Sequence, residues 1–129
     1  MTDLTASEIA VSGMKAQAVR LRHISENIAN ADTPGYRRKL LSFEENTDFG
    51  RDIGGVRPGA LQSDPRPLPR IYDPGNPMAD GSGYYAGSNV DLVIEIADSR
   101  EASRSYEANL RVFEQSRQMS ASLLDLIRR

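Results

Sequence analysis

The uneven distribution of proline and glycine most strongly constrains how this 129-residue chain folds. All seven prolines lie between Pro34 and Pro77, and nine of the ten glycines lie between Gly35 and Gly87. Both residue types interrupt helices, so long helices are expected at the two ends and not in the middle. The predicted chain is mainly α and has three parts: an N-terminal helix within residues 1–33, a turn and Pro/Gly-rich segment at 34–89, and a C-terminal helix within 90–129.

The N-terminal part, residues 4–31, carries apolar or small side chains at alternating spacings of three and four. This heptad pattern predicts a helix that packs along one seam against a partner helix. Thr5 or Ser7 is placed to cap its start. The large apolar seam residues, which we expect to pack between subunits, are Leu4, Val11, Met14, Leu21 and Ile28.

The C-terminal part, residues 91–127, repeats the same alternation over five heptads. We expect the two helices to pair as an antiparallel, coiled-coil-like hairpin. The large apolar seam residues on this side, with the same expected role between subunits, are Leu92, Ile96, Tyr106, Leu110, Phe113, Leu124 and Ile127.

The middle segment is expected to be irregular, with only short β elements. Residues 38–43 are predicted to begin an extended segment. Residues 70–73 and Tyr84-Tyr85 are predicted to form short strands. The N-terminal helix is expected to stop before Pro34, because proline disfavours a helical residue in front of it. The Pro34-Gly35 pair predicts a type II turn.

The two helical parts carry too little apolar surface to be stable alone. Val93, Ile94, Val112 and Leu126 lie off the narrow seam, and a two-helix hairpin covers only one side of each helix. These side chains need a second neighbour to become buried. We therefore expect both helices to be marginal in the monomer and to be completed by other subunits, which indicates an assembly protein.

Composition excludes several classes of function. The absence of cysteine excludes disulfides and thiolate metal sites, and a single histidine excludes a multi-histidine site from this chain. A net charge of −2 argues against general nucleic-acid binding. The most apolar run, residues 89–97, is too short and too acidic for membrane insertion. Residues 1–20 lack the apolar stretch of a cleavable secretory peptide, so export would need a dedicated route.

No catalytic constellation is present, and we expect neither enzyme activity, cofactor nor metal. His23 is interpreted as a surface histidine on a helix. Asp91, Glu95 and Asp98 share one helical face; a solvated or salt-bridged face is favoured there over a divalent-cation site. The basic residues 37–39 are interpreted as an exposed turn exit or as a salt-bridge patch between subunits.

Residues 25–36 resemble the N-terminal signature of bacterial flagellar rod and hook proteins, in which a helix runs into a turn. The matching positions are Asn27, Ile28, Ala29, Asn30, Thr33, Pro34, Gly35 and Tyr36. Residues 71–80 and 102–109 resemble the family's middle and C-terminal motifs. Within the family, the chain most resembles the small subunits of the proximal rod. It departs from the family pattern at Leu92, where a proline usually begins the last helix.

The resemblance implies a structural subunit of the flagellar basal body. Such a subunit polymerises through its terminal helices into a tubular drive shaft, which transmits torque from motor to hook and lets export substrates pass. Its implied partners are further copies, the other proximal and distal rod proteins, the adapter between rod and membrane ring, and the flagellar type III export apparatus. Its implied place is the periplasm, reached from the cytoplasm without a cleaved signal. The alternative is a stand-alone helical-hairpin adapter or oligomerisation module.

Overall fold

A computed structural model describes residues 4–129 and contains two long helices and four strands. In chain order these are α1 (Ala6–Ala29), β1 (Lys39–Asp48), β2 (Arg51–Ser63), β3 (Arg70–Tyr72), β4 (Tyr84–Ala86) and α2 (Leu92–Arg128). The two helices pack against each other, which confirms a mainly α chain with long terminal helices.

Local signals in the sequence set both ends of α1. The Thr5 hydroxyl accepts a hydrogen bond from the Glu8 N–H at 3.3 Å, and the Glu8 carboxylate accepts one from the Thr5 N–H at 2.7 Å. This capping box satisfies two backbone donors that the helix itself leaves free. After the C-cap, the Tyr36 N–H donates to the Thr33 carbonyl at 3.2 Å, and Gly35 has φ +76°. The predicted type II turn is confirmed, since this turn requires a positive φ at its third residue.

Helix α2 begins without the proline that is usual for the family. Asp91 is its N-cap and accepts a hydrogen bond from the Val93 N–H at 3.0 Å. The carboxylate thus supplies the start signal, and Leu92 occupies the first helical position. At 1.5 Å per residue, the 37 residues of α2 span roughly 55 Å.

The two helices run antiparallel and approach closely. Asn27 near the end of α1 contacts Glu95 near the start of α2, and Gly13 faces Asn109. A Cβ added at Gly13 would lie 2.6 Å from the Asn109 amide nitrogen, so glycine permits this approach. The buried apolar side chains of residues 4–129 are few and mostly small: Ala10, Ala16, Ile24 and Ala102.

The predicted seam residues do not form the buried stripe of this helix pair. On α1 the buried positions include Gly13, Ala16 and Ile24, while Ile28 is 39% exposed. On α2 the buried positions are Glu95 and Ala102. The seam residues fall into two groups: half-buried are Leu4, Val11, Met14, Leu21, Tyr106, Leu110 and Phe113, and exposed are Ile28, Leu92, Ile96, Leu124 and Ile127. Their role in packing between subunits stays a prediction.

The expectation of only short β elements is wrong for the first part of the middle segment. Strands β1 and β2 form an antiparallel hairpin of ten and thirteen residues. The strand pattern is hidden because β2 contains Gly54, Gly55, Pro58 and Gly59, which are typical of turns. Gly54 and Gly55 have positive φ and lie directly against Ile9 and Ser12 of α1, where a side chain would not fit.

The two short strands are confirmed. β3 and β4 pair antiparallel, with Ile71 opposite Tyr85 and Tyr72 opposite Tyr84. The rings of Tyr72 and Tyr84 lie 5.1 Å apart between centroids and are tilted by 58°, a separation within the usual range of aromatic pairs. The carbonyl of Ala86 accepts a hydrogen bond from the Gly35 N–H at 3.1 Å, which ties this small sheet to the turn after α1.

Candidate functional site

The residues of the family-like turn are organised around the buried side chain of Asn27, which is 1% exposed. Its oxygen accepts hydrogen bonds from the Tyr36 hydroxyl and the Lys39 N–H, each at 2.9 Å. Its nitrogen donates to the Lys39 carbonyl at 3.1 Å and to a Glu95 oxygen at 3.3 Å. These four bonds use the full hydrogen-bonding capacity of an amide side chain. One asparagine thereby connects α1, the start of β1 and the start of α2.

Arg38 completes this cluster from the other side. Its guanidinium pairs with Glu95, which is fully buried, and with Asp98 at 2.8 Å. The Arg38 N–H donates to Asn89 at 2.6 Å. A buried carboxylate is tolerated only where a charge and hydrogen bonds compensate its lost hydration, and Arg38 and Asn27 supply both. We call Asn27, Tyr36, Arg38, Lys39 and Glu95 the turn network.

A second layer of polar contacts holds the connection between β2 and β3 against the turn network. The Asn89 amide donates to the carbonyls of Asp64 and Arg66, each at 3.2 Å. Arg37 donates to the same two carbonyls at 3.2 and 3.0 Å. The Asp64 N–H in turn donates to the Arg38 carbonyl at 2.8 Å. These bonds join the segments 37–38, 64–66 and 89, where α1 ends and α2 begins.

The electrostatics of the site follow from these contacts. Hydrogen bonds from Arg66 hold the pKa of the Asp64 carboxyl below its ordinary value. The hydrogen bond between Lys39 and Glu26 lowers the pKa of Glu26 and raises that of Lys39. Burial raises the pKa of the Tyr36 hydroxyl, which keeps its proton and donates a hydrogen bond to the Asn27 oxygen. The charged groups of the site are paired with groups of opposite charge and are hydrogen-bonded. Such an arrangement is typical of a site that holds segments of the chain together.

Several sequence-based interpretations are settled here. His23 is buried, at 9% exposure, and lies 3.4 Å from Glu26, so its interpretation as a surface residue is wrong. Glu95 and Asp98 form the expected salt-bridged face. Arg38 pairs within its own chain, so the idea of an exposed turn exit or a patch between subunits is wrong for this residue.

The burial of Glu95 and its pairing with Arg38 were not predicted from the sequence. One signal was available, because Glu95 is a carboxylate inside the most apolar run of the chain, residues 89–97. A charge in such a run indicates a buried partner of opposite sign. Among residues 4–129, no group of three or more His, Cys, Asp or Glu side chains is arranged to hold a metal ion. Neither described helix has an apolar stretch long enough to cross a bilayer.

At the other end of the helix pair, α2 extends past the start of α1. The antiparallel register, with Asn27 near Glu95 and Gly13 near Asn109, brings the start of α1 opposite the region of Ser116. We call residues 117–128 the α2 overhang; it is roughly 18 Å long and exposed throughout. Its large apolar side chains are between 55% and 79% exposed: Met119, Leu123, Leu124, Leu126 and Ile127. An exposed apolar surface of this size is typical of a protein–protein contact.

A groove lies beside the overhang, between α1, the β1–β2 hairpin and Phe113 of α2. Its volume is about 440 Å³, and we call it the α1 groove. Its apolar wall is formed by Leu4, Val11, Val56, Pro58 and Phe113, and its polar rim includes Ser7, Glu8, Lys15 and Arg57.

Two family descriptions match the chain at its two ends. Residues 8–37 match the family "Flagella basal body rod protein", and residues 82–126 match "Flagellar basal body rod FlgEFG protein C-terminal". The first match contains α1 and the turn as far as Tyr36. The second contains β4 and most of α2. The two matches contain Asn27, Tyr36 and Glu95 of the turn network, while Arg38 and Lys39 lie just beyond the first match.

Relatives match over nearly the whole chain. A flagellar basal-body rod protein FlgC from Agrobacterium fabrum is 47% identical over 130 residues, covering 95% of this chain and 94% of its own length. The FlgC proteins of Buchnera aphidicola, from the pea-aphid strain, and of Salmonella typhimurium are 37% and 36% identical, each covering 98% of both chains.

Proposed function

The chain belongs to the FlgC family of flagellar basal-body rod proteins, and we propose that it polymerises through its terminal helices into the wall of the proximal rod. Membership makes it a structural, non-enzymatic subunit of the flagellar basal body that assembles with other rod components. In the proposed role, the polymer is a tubular drive shaft that carries torque from motor to hook and leaves a channel for exported proteins.

The observation that carries this proposal is the α2 overhang. Five large apolar side chains of the overhang are at least 55% exposed, while the helix pair itself buries only three alanines and one isoleucine. Apolar burial contributes about 25 cal/mol per Å², so the apolar surface of the overhang stabilises these helices only when neighbours cover it. This distribution supports a subunit that is completed by assembly.

We further propose the partners and the route. The neighbours in the rod are copies of this chain and the other proximal and distal rod proteins, with the rod-to-membrane-ring adapter at the base. The rod subunit reaches the periplasm through the flagellar type III export apparatus without a cleaved signal. The weak apolar core supports this route, because a chain that unfolds at little cost is readily passed through an export channel.

Electron microscopy of basal bodies tests the proposal. A strain lacking this gene should lose the rod above the membrane ring, and complementation with the wild-type gene should restore it. The pair L123E and L126E should fail to restore it, because both charges would lie on the apolar side of the overhang. A121E is the matched control, since Ala121 lies on the opposite side of α2 and should tolerate the same charge. Intact rods in the deletion strain would refute the proposal and favour the stand-alone adapter.

A further inference from the structure

The tip of the β1–β2 hairpin carries an aromatic side chain in an unfavourable conformation. Phe49 has φ +48° and is followed by Gly50 at φ +79°, so the two-residue loop has the backbone of a type I′ turn. Asparagine or aspartate is preferred at the first of these positions, and a bulky residue there is strained. The Phe49 side chain is also 93% exposed. Neither the turn nor the packing of this chain explains a phenylalanine here, and such an outlier points to function.

The hairpin tip projects beyond the body of the subunit. Within residues 4–129, the backbone contact between β2 and the N-terminal segment that lies nearest the tip is the hydrogen bond from the Leu4 N–H to the Ile53 carbonyl, at 3.0 Å. Phe49 lies four residues before Ile53, so the tip extends roughly 10 Å past this contact. It leaves the molecule at the same end as the α2 overhang.

The α1 groove has the chemistry and the size to receive this side chain. Its volume of about 440 Å³ falls within the usual range of binding pockets, and its wall is apolar. Phe49 does not line the groove of its own chain and is 93% exposed, so the groove is not filled from within the subunit. An occupying Phe49 must therefore come from another molecule.

The charges around the tip and the groove are complementary. The tip carries Asp48, Arg51 and Asp52, with a net charge of −1; on the groove rim Arg57 already pairs with Glu44 at 3.4 Å, which leaves Lys15 as the cation that faces a tip carboxylate. Lys15 makes no ion pair with any residue in the described range 4–129, so it is available to a carboxylate of the tip. This complementarity favours a second copy of the same chain as the partner.

We propose that Phe49 of one copy inserts into the α1 groove of a second copy, an inference that rests on the proposed polymerisation. Because the tip and the groove are different surfaces, each copy offers one of each. A contact of this type propagates from copy to copy, and it builds an open helical array, as a rod requires, where the rotation between copies does not close into a ring.

Site-specific photo-crosslinking tests the contact in assembled rods. Phe49 is replaced by p-benzoylphenylalanine, which keeps an aromatic ring at the tip, in cells that also carry a wild-type copy of the gene. Basal bodies are isolated after irradiation, and the crosslinked peptides are identified by mass spectrometry. The same replacement at Tyr72, which is 63% exposed, is the control. We expect crosslinks from position 49, and not from position 72, to the segments around Val11 or Phe113 of a second copy.

Two results would overturn the inference and leave the proposed function standing. One is a chain that is present in rods but crosslinks from position 49 to a different rod protein. The other is a chain that is present in rods and gives no crosslink to the groove. Absence of even the wild-type chain from the rods would instead refute the proposed function.

A second variant separates binding from folding. F49N should raise the melting temperature of the isolated chain, because asparagine suits the positive φ of the turn. The same variant should lower the number of complete rods per cell severalfold. A purely structural role for Phe49 predicts the opposite sign in the melting experiment, and a normal rod number in F49N cells would contradict the proposed contact.

Discussion

Replacing Asn27 by alanine tests whether the turn network holds the helix pair together. The substitution removes four hydrogen bonds at once. The half-buried Tyr36 hydroxyl can turn to water, and Glu95 keeps its pair with Arg38, but the N–H and carbonyl of Lys39 lose their partners in a partly buried position. An unpaired buried polar group costs about 1–3 kcal/mol, so two such groups at the low end of that range cost about 2–3 kcal/mol in the free energy of opening.

Amide hydrogen exchange of the isolated chain measures this loss directly. In the wild type, amides near the network, at residues 20–27 and 95–102, should exchange more slowly than amides of the α2 overhang. A loss of about 2–3 kcal/mol corresponds to roughly 30- to 150-fold faster exchange at those amides, up to the rate of an unfolded chain. The overhang amides should be unaffected, because the described structure gives that segment no contact with the network.

The matched control for this experiment is N46A. Asn46 lies in β1, and its side chain makes no hydrogen bond with the residues that the structure describes, 4–129. It undergoes the same chemical change as Asn27, so exchange near the network should stay within about twofold of the wild type. The reasoning fails if N27A leaves exchange at residues 20–27 and 95–102 unchanged, or if the wild-type overhang is protected as strongly as the network.

Three further predictions concern single contacts. G13A should lower the melting temperature, because the new Cβ meets the Asn109 amide at 2.6 Å; G13A with N109A should melt above N109A alone, since alanine gains about 1 kcal/mol of helix propensity over glycine. T5A should lose about 1 kcal/mol of stability in urea denaturation followed by circular dichroism, and T5S should retain most of it. The lowered pKa of Asp64 contributes stability that is present above its unfolded value of 3.8 and is lost as the pH falls through the lowered folded value. Melting curves between pH 7 and pH 2 should therefore fall less steeply for D64N than for the wild type, and parallel curves would contradict this assignment.

The helices were predictable because their signals are local. A capping threonine at position 5 and the Pro34-Gly35 turn act on neighbouring backbone, so the sequence shows them directly. The β1–β2 hairpin was not predictable in this way. Gly54 and Gly55 of β2 allow the strand to lie close to α1, although glycine has a low propensity for strands. The contact with α1 therefore determines these residues, and a propensity-based reading of the sequence does not detect the strand.

Only part of the turn network could be recognised from the sequence. The motif from Asn27 to Tyr36 was recognisable as a pattern, but its partner Glu95 lies 68 residues away from Asn27, and a periodicity analysis carries no information on such pairings. The buried stripe of the helix pair was misjudged for a related reason. The heptad rule assumes that the largest side chains face the partner helix, whereas here glycine, alanine and polar residues do so.

The scarcity of buried apolar side chains in the helix pair has a calorimetric consequence. The heat capacity change of a folding reaction scales with the apolar surface removed from water, so folding of the lone subunit should have a small heat capacity change, and its free energy of unfolding should depend on temperature with little curvature. The missing part of the signal belongs to the joining of subunits, when the overhang is covered. For such a chain, polymer formation resembles the folding of an ordinary domain, because it is the step that buries most apolar surface. Cooling should therefore make the free energy of polymer formation less favourable, and the enthalpy of this step should change most steeply on warming.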